Sequence, residues 1–136
     1  MRKYQIFIVL ILMVVTLMRC TDKDVSLKLK NNSNYAIAFD SSLDTVMDSV
    51  SIDIDILLRD MILPGKTVTM IKPGDSEGWF SLIKNSTNKK LNYFIMNIDT
   101  IQKYNDWNYI RKNKLYKRYE YTEEELNKKA WVIEYP

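Results

Sequence analysis

The chain has 136 residues, with 20 basic against 17 acidic side chains, no histidine and a single cysteine, Cys20. Without histidine, Ser-His-Asp and Cys-His catalysis are excluded, and a zinc site loses its commonest ligand. Residues 1–19 hold Arg2, Lys3, Arg19 and no acid, so the remainder balances at 17 charges of each sign and gives no ground for nucleic-acid binding.

Arg2 and Lys3 precede an apolar run over residues 6–18, which ends just before Cys20. The run falls short of the ~20 residues that a spanning helix needs. A basic start, a short apolar core and a processing point describe a secretory signal, although no A-x-A pair for ordinary cleavage follows. Thr21, Asp22, Lys23 and Asp24 form a tether too short and too charged to pack. The predicted organisation is a signal peptide over 1–19, a tether over 20–24 and one domain over 25–136. That last stretch is long enough to bury a core without disulfides.

The stretch Leu17-Met18-Arg19-Cys20 resembles the lipobox of bacterial lipoproteins, with Leu17 well placed and Arg19 where a small residue is usual. The resemblance implies lipid attachment at Cys20 and a lipid-anchored place in the outer membrane, facing the periplasm or the cell surface. Two or three acyl chains would make that anchoring stable. If Arg19 blocks processing, the alternative is an uncleaved, N-terminally anchored envelope protein.

Strand patterns dominate the rest. Val25, Leu27 and Leu29 alternate with Ser26, Lys28 and Lys30, the period of a half-buried strand. Asn31-Asn32-Ser33-Asn34 reads as a turn, and Tyr35, Ile37 and Phe39 resume the alternation. After a polar loop over 40–49, Val50, Ile52, Ile54 and Ile56 are separated by Ser51, Asp53 and Asp55. This is the most regular strand pattern in the chain. Pro64-Gly65 turns into a further strand over 66–71, which Pro73-Gly74 closes. Residues 78–84 fit a short helix or a strand.

Residues 91–98 (LNYFIMNI) are apolar on both faces, as in a central strand. Asp106 is placed to cap a short helix carrying Trp107 and Ile110, and residues 115–121 return to strand. Thr122 and Glu125 have the spacing of a capping box, with Lys128 and Lys129 suited to the helix end. Trp131, Ile133 and Tyr135 face one way in a last strand. The expectation is a mainly β fold: a single β-sandwich, Ig-like or similar, of about seven strands with one or two connecting helices.

The second half carries a wider resemblance. Residues 91–99 lead into Thr100, a short helix holds Trp107, and Tyr116-Lys117-Arg118-Tyr119 follows. Residues 122–126 and the ending Trp131-Val132-Ile133-Glu134-Tyr135-Pro136 complete it. Together with the signal, these resemble small uncharacterised lipoproteins of the Bacteroidales. The resemblance implies an envelope address and a β-sandwich body, and no activity. Asp44-Thr45-Val46, Asp48-Ser49-Val50 and Asp99-Thr100-Ile101 resemble the O-glycosylation site of the Bacteroidota, which implies Thr45, Ser49 and Thr100 as acceptors. The plainer reading is that Asp-Ser and Asp-Thr make good turns.

Three groups of residues could carry chemistry. On a strand, Asp53 and Asp55 would share a face and, with Asp40, Asp44 or Asp48, could offer oxygens to calcium. The plainer reading is the wet side of a half-buried strand. Arg111, Lys112, Lys114, Lys117 and Arg118, interleaved with Tyr109, Tyr116 and Tyr119, could meet an anionic glycan or lipid headgroup, or simply guard a strand edge. Trp79, Trp107 and Trp131 would make a sugar-stacking platform or, more simply, core.

No catalytic constellation emerges, and neither a cofactor nor a resident metal is implied. The expected function is a non-enzymatic binding or accessory module, partnered by the membrane through its lipid and by an unidentified protein or glycan. The alternative is a carboxylate-dependent enzyme acting on envelope glycans, which requires two acids facing one concave pocket.

Overall fold

The computed structural model describes residues 26–48, 52–70 and 78–136. The leader, Cys20, the tether, Val25, residues 49–51 and the Pro73-Gly74 turn lie outside the described residues.

Strands β1 (Leu27–Asn31) and β2 (Ile37–Ser42) flank the asparagine-rich turn, with Leu27 and Leu29 fully buried. Asn31 organises that turn. Its amide donates to the carbonyls of Tyr35 at 2.8 Å and Ile62 at 2.9 Å, and its Oδ1 accepts from the N–H and hydroxyl of Ser33.

Helix α1 (Ile54–Arg59) occupies the place where alternation predicted a strand. Ile52 and Ile56 fit a period of two and a spacing of four equally well, and the cap decides between them. The Asp53 carboxylate accepts the Asp55 N–H at 2.9 Å, meeting a donor that the first helical turn leaves free. Leu57 is then buried while Ile56 stays exposed.

Leu63 and Lys66 close a type II turn through an N–H to carbonyl bond of 3.1 Å. Gly65 sits there at φ +71°, which favours a residue without Cβ. The turn delivers β3 (Thr67–Met70). Residues 78–84 prove helical: α2 (Gly78–Asn85) buries Trp79, Leu82 and Ile83 at helical spacing.

Strand β4 (Leu91–Asn97) follows, and Asn97 caps α3 (Ile98–Tyr104), an element not anticipated. Asp106 caps α4 (Trp107–Lys112) as expected. Strand β5 (Lys117–Tyr121), α5 (Glu123–Lys128) with its capping box formed, and β6 (Val132–Tyr135) complete the order.

The strands form two sheets of three, β3-β1-β6 and β2-β4-β5. Strand β1 is antiparallel to β3 and parallel to β6, while β4 runs antiparallel to both of its neighbours. Strand β4 therefore lies between two cores. Leu91, Tyr93 and Ile95 pack with Leu27, Leu29 and Ile133 of the other sheet, whereas Phe94 and Met96 pack with Leu57, Ile101, Trp107 and Ile110 of the helices. Each such buried side chain contributes about 1.5–3 kcal/mol. Burial on both faces accounts for the unbroken apolar run of β4.

The architecture is mixed α/β, with two three-stranded sheets and five short helices among the described residues. This corrects the expectation of a mainly β fold with about seven strands. Part of one predicted strand became α1, and α3 was added where β4 ends. Among the described residues no helix is long and apolar enough to cross a membrane.

Candidate functional site

Strand β2 alternates between the two cores, with Ile37 directed to the inter-sheet side and Ala38 to the helical side. Asp40 shares the parity of Ala38 and so belongs to the helical side. Between β2 and α1 a cleft of about 220 Å³ opens. Ala38, Phe39, Ile52, Ile56 and Leu57 give it apolar walls, and Asp40 and Asp60 supply carboxylates.

The Asp40 Oδ1 accepts the Ser41 N–H at 2.7 Å. Its Oδ2 is buried and has no hydrogen-bond partner among the described residues. Burial lifts the Asp40 pKa from 3.8 to about 6; the Ser41 amide opposes the rise, and the negative charge of Asp48 adds to it. In the sheet register, Asp40 stands opposite Phe94, and Phe94 stands opposite Arg118. Neighbouring strands are ~4.8 Å apart, so a phenyl ring separates the acid from the cation of its own row.

Arg118 is engaged elsewhere, donating to the Thr45 carbonyl at 2.6 Å and pairing with Glu120 at 2.9 Å. Asp60, at the rim, accepts from Arg59 at 2.9 and 3.2 Å, which holds its carboxyl below the usual range. The cleft is an apolar trough with Asp40, whose Oδ2 is buried and unsatisfied, in its β2 wall and with Asp60, paired with Arg59, at its mouth. Its chemistry favours a cation on an apolar stem.

No family model, curated protein or solved structure matches this chain. Asp53 and Asp55 do not share a strand face, since Asp53 caps α1 and Asp55 lies in its first turn. Among the described residues no group of three or more His, Cys, Asp or Glu side chains could hold a metal ion. Cys20 and Ser49 lie outside the described residues.

The basic run is divided. Arg111 and Lys112 end α4, and Lys114 follows in a turn at φ +51°. Lys117 and Arg118 leave opposite faces of β5, an edge strand, with Lys117 Nζ 5.6 Å from the centre of the Tyr135 ring. That arrangement favours the edge-guarding reading over a single anionic-ligand surface.

Thr45 lies in the loop after β2, where its N–H donates to Asp44 Oδ1 at 2.6 Å. Thr100 lies inside α3 beside fully buried Ile101. The three tryptophans are all buried and split between the two cores, so they form no sugar platform.

From the sequence alone Asp40 stands only as an accessory calcium ligand. Its signal was parity. Asp40 alternates in register with Ala38, and the doubly apolar neighbour β4 implies that both faces of this sheet are covered.

Proposed function

We propose that the chain is a lipid-anchored envelope protein, matured at Cys20 and held at the outer membrane, whose body is a non-enzymatic binding module. The likeness to the Bacteroidales lipoproteins and the lipobox support the address. The observation that carries the binding role is the β2–α1 cleft, where apolar walls adjoin Asp40, whose Oδ2 is buried without a partner. We read the body as a small two-sheet sandwich backed by helices, a reading supported by a core that draws side chains from both sheets. Its partner is a protein or a glycan, and the charge balance argues against nucleic acid.

One observation favours a second reading, a carboxylate-dependent enzyme acting on envelope glycans. Asp40 and Asp60 line the same cleft, and Asp40 titrates at about 6, within reach of neutral pH. Against it stands the engagement of Asp60 with Arg59.

The address is tested by expressing the full chain, leader included, in a bacterium that matures lipoproteins and weighing the intact protein from its membranes. A chain beginning at Cys20 with added acyl mass supports the proposal, and a full-length unacylated mass overturns it. Incubation with envelope glycans tests the rest. Release of products that Asp40→Asn abolishes would replace the binding module with an enzyme.

A further inference from the structure

We infer that the β2–α1 cleft binds an alkylammonium group: an apolar stem ending in a primary ammonium, as in a lysine side chain or a free aliphatic amine. This names the ligand class of the binding module and rests on that reading. Buried charges are normally paired, because an uncompensated one carries a large desolvation cost. Asp40 is not paired. Among the described residues, Asp48 and Asp60 are negative, Arg59 is engaged with Asp60, and Arg118 stands beyond the Phe94 ring with Thr45 and Glu120.

The walls select the stem. Ala38, Ile52, Ile56 and Leu57 offer methyl groups to a hydrocarbon chain and no donors to a hydroxylated ligand. The space, about 220 Å³, is below that of drug-sized pockets and suits a group the size of one side chain. The acceptor selects the head. Because Oδ1 already receives the Ser41 amide, the carboxylate keeps one buried oxygen without a partner, and a single acceptor suits the point charge of an ammonium better than the two-pronged guanidinium.

The test uses the full chain in detergent with isotope-labelled isoleucine and leucine methyls. Pentylamine, Nα-acetyl-lysine N-methylamide and 1-pentanol are titrated in separate runs at neutral pH. Saturable shifts at Ile52, Ile56 and Leu57 are expected with an amine, about tenfold or more weaker with pentanol and in Asp40→Asn. The tighter of the two amines identifies the source as a free amine or a protein lysine. Ile56→Lys supplies a second check, placing a tethered ammonium at an exposed position of the cleft wall, where it should block added amine. Equal affinity for pentanol and amine, unchanged binding in Asp40→Asn, or full binding in a folded Ile56→Lys protein overturns the inference. An absence of shifts in folded wild-type protein overturns the inference and leaves the binding module standing; Asp40-dependent glycan turnover removes that module.

Discussion

Asp40 and Arg118 occupy one cross-strand row of the second sheet, with the fully buried ring of Phe94 between them. A salt bridge across two strands is thereby forgone, and the acid is left in an apolar setting. The proton balance gives this a measurable consequence. Between pH 3.8 and about 6 the unfolded chain has released the Asp40 proton while the native protein still holds it. The contribution of Asp40 to stability therefore falls as pH rises through that window and is flat on either side of it. A shift of this size corresponds to about 3 kcal/mol. The stability of Asp40→Asn relative to wild type should rise by that order between pH 4 and pH 8, because the common groups cancel. Urea midpoints across the range read the difference directly, and parallel curves would show that Asp40 titrates normally.

The wall opposite Asp40 depends on another aspartate. Asp53 caps the six-residue α1, which carries Ile56 and Leu57 into the cleft. Replacing a capping aspartate with alanine removes about 1 kcal/mol, while serine keeps most of it. Asp53→Ala should lower the unfolding free energy by that amount, read from the urea midpoint and slope, and weaken amine-induced shifts at Ile56, with Asp53→Ser close to wild type. A wild-type midpoint in Asp53→Ala would show that packing of Leu57 alone holds the helix.

What could be read from the chain was what neighbouring residues decide among themselves. The caps at Asp106 and at Thr122 with Glu125 close within three residues, and both formed. The central position of β4 was legible because burial on both faces demands an apolar residue at every step. Ile54 misled, since the same isoleucines satisfy two periods until the Asp53 cap forms. The parallel pairing of Lys28 with Val132 joins residues more than a hundred apart and leaves no local trace. The cleft was hidden for both reasons, because it needs β2 placed in the sheet and residues 54–59 turned into a helix.

Asn31, read as a turn residue, is fully buried at the end of β1 and bonds to two carbonyls. Asn31→Ala removes both donors and the acceptor for Ser33. The Tyr35 carbonyl keeps the Ser33 hydroxyl, and the Ile62 carbonyl keeps the Ile37 N–H. The expected loss is about 1–3 kcal/mol. Asn31→Asp should be worse at neutral pH, since a carboxylate would face two carbonyl oxygens with nothing to donate. Protonation restores a donor, so the aspartate variant should recover towards pH 4 and the alanine variant should not. Equal pH profiles for the two would show that the amide donors do not hold the turn.

The two candidate glycan acceptors within the described residues differ in a way that mass mapping can resolve. Thr45 lies in a loop, half-exposed, next to Val46 at 54% exposure, while Arg118 steadies its carbonyl. Thr100 is half-exposed as well but is held in the first turns of α3. A transferase must reach the acceptor hydroxyl, and an attached glycan needs open solvent, so loops are the favoured ground. In a host with such a transferase, fragmentation of purified protein should place hexose-type increments on Thr45 and none on Thr100. Thr45→Val should remove the Thr45 increment without unfolding the protein, because the Arg118 bond is to the backbone. An increment that maps to Thr100 would show that a half-exposed threonine in a helix is accepted as readily as one in a loop.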